Sequence, residues 1–64
     1  MDRMMGWFDY EHLPEKLQWT SKRFHDLAWA IHESVAAGPE RTVALRKLLE
    51  AKDSAVRATL NPGG

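Results

Sequence analysis

The chain contains no cysteine, so no disulfide can brace it, no thiolate can hold a metal, and nothing argues for an oxidising compartment. It carries no net charge, with nine acidic residues set against nine basic ones. A duplex nucleic-acid binder is normally clearly basic, so a DNA-binding regulator is disfavoured. No apolar run approaches the ~20 residues that cross a bilayer. Met1-Asp2-Arg3-Met4-Met5 does not lead into the apolar core of a secretion signal. A soluble, intracellular protein is the expectation. Glycine and proline are few, four and three, and no glycine-rich phosphate loop of the P-loop or dinucleotide type is present.

What the chain does have is two apolar segments, Leu13–Val35 and Val43–Leu60, separated by Ala36-Ala37-Gly38-Pro39. Proline suits the first position of a helix. Pro14 and Pro39 therefore predict two helices, one running to about Ala36 and one to about Leu60, where Asn61-Pro62-Gly63-Gly64 stops it. A four-residue connection makes them antiparallel neighbours. The fold class expected is all-α: an antiparallel two-helix hairpin over 13–60, an amino-terminal arm or helical turn over 1–12, and a disordered tail over 61–64.

At ~100° per residue, Leu17, Phe24, Leu27, Ala28, Ile31 and Val35 share one face of the first helix, while Trp19 and Trp29 project elsewhere. In the second helix Ala44, Leu48, Ala51 and Ala55 form a narrow stripe suited to close helix approach. Leu45, Leu49, Val56 and Leu60 make a second stripe beside it. A hairpin has one internal seam, and each large side chain left outside it forgoes roughly 1.5–3 kcal/mol. At 64 residues without a staple, a chain is marginal unless it oligomerises. We therefore expect a compact homo-oligomer with Trp19, Trp29, Leu45, Leu49 and Val56 at the interface. The alternative is that the arm folds back and covers the excess with Trp7 and Phe8.

Chemistry-bearing residues are sparse. Arg46–Glu50 and Asp53–Arg57 are i,i+4 pairs of opposite sign, the pattern of a solvated helix face. At the start of the second helix, Arg41 and Thr42 join free backbone N–H groups and the positive end of the helix dipole in a candidate anion seat. His25 and His32 lie two turns apart, too far to share an ion on one straight helix, and no metal site is expected. Thr20, Ser21, Thr42 and Ser54 lack a histidine–carboxylate partner at local spacing, and a hairpin this small lacks an enclosed pocket, so an enzyme is not expected.

Three stretches carry a resemblance. Gly38-Pro39-Glu40-Arg41-Thr42-Val43-Ala44-Leu45-Arg46-Lys47-Leu48-Leu49-Glu50-Ala51 resembles the second helix of the small phage anti-CBASS and Thoeris anti-defence hairpin-domain proteins, whose pattern there is close to E-[KR]-[ST]-x-A-L-x-K-L-x-E-A. Phe8-Asp9-Tyr10-Glu11-His12-Leu13-Pro14 is similar to that family's entry into its first helix, and Asp26-Leu27-Ala28 with Ile31 matches its [DE]-Leu-Ala-x-x-Ile. The likeness spans residues 8 to about 58.

The resemblance implies an all-helical sponge, often a hexamer, working in the host cytoplasm. Such proteins bind cyclic di- or trinucleotides or cyclic ADP-ribose isomers and hold them uncleaved, so that CBASS or Thoeris antiviral signalling fails. It implies a ligand site of four residues. Tyr10 would stack on a base, and Arg41 and Thr42 would hold phosphate. A family lysine falls near Ser21-Lys22-Arg23, with Lys22 taken as its counterpart and Ser21 the other register. Ala55-Val56-Arg57 stands where many relatives have Ala-Asn-Ala, and the chain lacks a long inter-helix insertion. No cofactor, no membrane and no duplex nucleic acid is implied. The competing expectation is a small oligomeric adaptor that docks a host or phage protein through Trp19, Trp29 and the second leucine stripe.

Overall fold

A computed structural model describes residues 3–63; residues 1 and 2 of the expected arm and residue 64 of the expected tail lie outside them. Arg3–Phe8 forms a 3₁₀ helix, followed by α1, Glu15–Ser34, and α2, Pro39–Leu60. No strand occurs among the described residues. The two long helices pack against each other. Their antiparallel sense is fixed at both ends: Thr20 and Thr59 hydroxyls meet at 3.3 Å, and Arg41 reaches the last turn of α1.

Local chemistry sets the boundaries. Pro14 caps α1 from an extended conformation, φ −53° and ψ 144°, so the helix begins at Glu15 and not at Pro14. Gln18 Nε2 turns back to donate to the Leu13 carbonyl at 2.9 Å and that of Glu11 at 3.3 Å, tying the entry loop to the helix. The Val35 N–H closes α1 on the Ile31 carbonyl, two residues short of Ala36. Pro39 occupies the first turn of α2 as expected. The Asn61 N–H bonds the Arg57 carbonyl, and Gly63 takes a left-handed φ of 78°, which suits glycine.

The arm makes the core possible. A 3₁₀ helix has three residues per turn, so Met5 and Phe8 eclipse each other on one side. Both are fully buried, together with Ala28 and Leu45. Met4, Phe24, Trp29, Ile31, Leu48 and Leu49 pack around that cluster. Burying Phe8, Met5 and Leu45 contributes roughly 1.5–3 kcal/mol each, more than a bare hairpin could gather.

Several expected placements change. Leu45, expected on an outer stripe at an interface between copies, is fully buried within one chain because the arm folds over it. Leu49 and Val56 are half-buried. Met5, rather than Trp7, partners Phe8; Trp7 faces outward. Ala44 and Ala51 are exposed while Leu45 and Lys52 are buried, so α2 is turned by about one residue from the expected seam. The small residues that allow close approach lie on α1 instead, at Ser21 and Ala28. Leu27 and Val35, expected in the seam, are half-exposed. Neither Arg46–Glu50 nor Asp53–Arg57 pairs; Arg57 Nη2 donates to Ser54 Oγ at 3.1 Å.

The molecule measures 36 × 22 × 17 Å with a radius of gyration of 12.2 Å, against about 11 Å for an average domain of this length. Its 4688 Å² of accessible surface exceeds the about 4,200 Å² that size scaling gives for this mass. Elongation leaves apolar side chains in water, Trp7, Trp19, Leu27 and Leu60 foremost.

Candidate ligand-binding site

The arm returns the chain across α1, and this brings Tyr10 to His25. Their rings meet edge-to-face at 5.0 Å between centroids. Positions 25, 29 and 32 share a side of a helix, and the contact continues along it. His25 lies 6.4 Å from Trp29, and Trp29 meets His32 edge-to-face at 5.2 Å. Trp29, expected at an interface between copies, is half-buried within one chain between two histidines and the core.

One turn from His25, the Lys22 ammonium donates to Asp26 Oδ2 at 2.8 Å. His25 Nδ1 approaches Asp26 Oδ1 at 3.0 Å. The hydrogen bond from Lys22, then that from His25, holds the Asp26 carboxyl below its ordinary range, and the bond to Asp26 holds Lys22 above its own. Both side chains are about half exposed, so water screens the pair and it stabilises the fold little. Its consequence is orientation: Asp26 fixes both Lys22 and His25. Ser21, the other register for the family lysine, is fully buried and faces no solvent.

Beside these groups lies an open depression of about 340 Å³ lined by Asp9, Tyr10, Glu11, His12 and His25. Small-molecule clefts run from roughly 300 to 1,000 Å³. Two carboxylates on its lining make it a poor seat for phosphate and a good one for hydrogen-bond donors.

Arg41 and Thr42 lie at the other end. Arg41 Nη1 donates to the carbonyls of His32 at 3.1 Å and Val35 at 3.0 Å, satisfying acceptors that the last turn of a helix leaves open. Thr42 donates both its N–H, at 3.1 Å, and its hydroxyl, at 3.2 Å, to the Gly38 carbonyl. The expected anion seat is therefore partly spent on closing the inter-helix turn. A guanidinium has five N–H donors, and those outside Nη1 form no bond within the described residues. Lys22 and His32 are ten positions apart on α1, about 15 Å along its axis at 1.5 Å per residue. The structure brings Tyr10 to His25, which shares Asp26 with Lys22, but does not join these residues to Arg41 and Thr42 within one chain.

The sequence reading missed His25 as a neighbour of Tyr10, having weighed it only as a metal ligand. The signal available was the 25, 29, 32 spacing of two histidines around a tryptophan. Among the described residues no group of three metal-binding side chains gathers. Arg23 stacks over Trp19, with its guanidinium carbon 4.3 Å from the ring centroid.

Comparison of the chain with protein-family models, curated proteins and solved structures returned no match.

Proposed function

We propose that the protein is a phage immune-evasion sponge. It binds a cyclic nucleotide signal, a cyclic di- or trinucleotide or a cyclic ADP-ribose isomer, without cleaving it, in the host cytoplasm. The reading rests on the motif resemblance of residues 8 to about 58. The observation that supports it most is that Tyr10, a stacking ring, lies against His25, which shares the Asp26 carboxylate with the Lys22 ammonium. Base–aromatic stacking contributes roughly 1–3 kcal/mol, and a neighbouring ammonium suits the phosphate of the same nucleotide.

Because Arg41 and Thr42 lie about two to three helical turns away, a compact ligand touching all four residues takes them from two copies. One copy supplies Tyr10 and Lys22, and its neighbour supplies Arg41 and Thr42. A homo-oligomer, a hexamer in the form the resemblance implies, follows from that division. The large accessible surface and the exposed Trp19 and Leu27 support assembly.

The deciding experiment is a thermal-shift and gel-filtration screen against cyclic di- and trinucleotides and cyclic ADP-ribose isomers. A ligand at 100 times its dissociation constant raises stability by about 2.7 kcal/mol. Stabilisation with the ligand recovered intact after denaturation is the expected result. Stabilisation with cleaved ligand, or no shift from a folded protein, overturns the reading.

A second reading has its own observation. Trp7 and Trp19 are about two-thirds exposed, as suits an adaptor that docks a protein partner. Tryptophan emission that ignores nucleotides and responds to a protein partner favours it.

A further inference from the structure

Resting on the sponge reading, we infer that the depression beside Tyr10 selects the base of the ligand, taking amino-bearing bases over uracil, with His25 and Glu11 as specificity-determining residues. The argument is one of hydrogen-bond sign. Asp9 and Glu11, when ionised, are acceptors only. His25 Nδ1 is committed to Asp26, so Nε2 is the ring's remaining hydrogen-bonding atom. In the tautomer whose Nδ1–H donates to Asp26, Nε2 accepts. The depression thus offers the Tyr10 ring, with the His25 ring set edge-to-face against it, and two carboxylates as acceptors. Its complement is a flat ring bearing N–H donors, such as the exocyclic amino group of adenine or cytosine or the amino edge of guanine. Uracil offers two carbonyl oxygens and one N3–H but no exocyclic amino group to the same lining, and binds more weakly. Phosphate is repelled by the same carboxylates and falls toward Lys22.

The test compares affinities for cyclic di-AMP and cyclic di-UMP by titration calorimetry on the full chain. One well-placed donor–acceptor pair corresponds to about tenfold, so cyclic di-AMP is expected to bind about tenfold more tightly or better. Glu11→Gln adds a donor at an exposed loop position and is expected to strengthen cyclic di-UMP binding and narrow the ratio. His25→Phe keeps a ring against Tyr10 while deleting both nitrogens, and is expected to narrow the ratio as well, with circular dichroism reporting that the helices persist. Equal wild-type affinities, or a ratio that neither variant moves, overturns the inference and leaves the sponge reading standing. If neither nucleotide nor any other cyclic nucleotide binds, the sponge reading falls and this inference with it.

Discussion

Lys52 donates from Nζ to the backbone carbonyl of Trp7, joining positions 45 apart in sequence. Its side chain occupies the inner face of α2, one turn from Leu48 and Leu49 and seven positions from Leu45, with only 8% of its surface exposed. An apolar side chain would fit the packing pattern there. The ammonium instead holds the arm that carries Tyr10.

The fold should therefore respond to Lys52 in two separable ways. Lys52→Ala removes both the packed stem and a charge-assisted bond, and is expected to cost about 1–3 kcal/mol in urea denaturation. Lys52→Met keeps the stem and is expected to remain within about 1 kcal/mol at neutral pH. Burial, the largest influence, holds the Lys52 ammonium below its ordinary value of 10.5. Between the lowered folded value and 10.5 the unfolded chain binds more protons, so stability rises with pH across that window. Wild type should gain on Lys52→Met as pH rises through the window just below the ordinary lysine value of 10.5. A difference that stays flat or falls over that range contradicts the buried ammonium.

Ser21 gives a prediction of opposite sign. Its hydroxyl is fully buried and has no hydrogen-bond partner among the described residues. A buried unsatisfied hydroxyl costs roughly 1–3 kcal/mol, and alanine is the better helix former. Ser21→Ala is expected to stabilise by about 1 kcal/mol, which for a domain this small raises Tm by about 4–8 °C. A lowered Tm would show that the hydroxyl has a partner.

The sequence showed where the helices begin and end because Pro14, Gly38-Pro39 and Asn61-Pro62 act within a turn of where they stand. It did not show which side of α2 turns inward. Leu45 with Lys52 and Ala44 with Ala51 are both seven-residue pairs, offset by one position, about 100°. Lysine reads as solvated, so the alanine pair looked like the seam. Only the returning arm, with Met5 over Leu45 and the Trp7 carbonyl on Lys52, makes the other choice favourable. The same non-local contact explains the candidate site: Tyr10 was identified, but His25 becomes its neighbour only after the arm folds back. Arg41 was legible as a cation at a helix start. That it closes the end of α1 depends on how two helices pack, which no local spacing encodes.

That closing contact makes Arg41 a test of two roles. Arg41→Ala removes both carbonyl bonds at the end of α1 and is expected to destabilise by about 1 kcal/mol without ligand. Arg41→Lys keeps the charge but lacks the planar fork, and should fall between alanine and wild type. Ligand contact adds a second effect: affinity for a cyclic nucleotide should fall by about tenfold or more, as for loss of a charge-assisted bond. Full affinity in a folded Arg41→Ala protein would confine Arg41 to the turn.

The strip Trp19, Arg23 and Leu27 runs at i, i+4 and i+8 along the outside of α1. With Thr20 and Phe24 it lines a shallow, mostly apolar hollow. Within one chain Trp19 gains only the Arg23 guanidinium stacked on its ring, and Leu27 stays half exposed. If copies assemble through this strip, a carboxylate at its centre forfeits burial of roughly 1.5–3 kcal/mol per large side chain and adds the cost of desolvating a charge. Leu27→Glu is therefore expected to shift sedimentation velocity from oligomer to monomer at micromolar concentration, while Glu33→Gln, on an exposed polar position, leaves assembly unchanged. Because Leu27 contributes little to the internal core, the monomer should lose no more than about 1 kcal/mol. A Leu27→Glu protein that sediments like wild type would move the interface elsewhere, and a wild type that sediments as a monomer would remove the two-copy ligand site altogether.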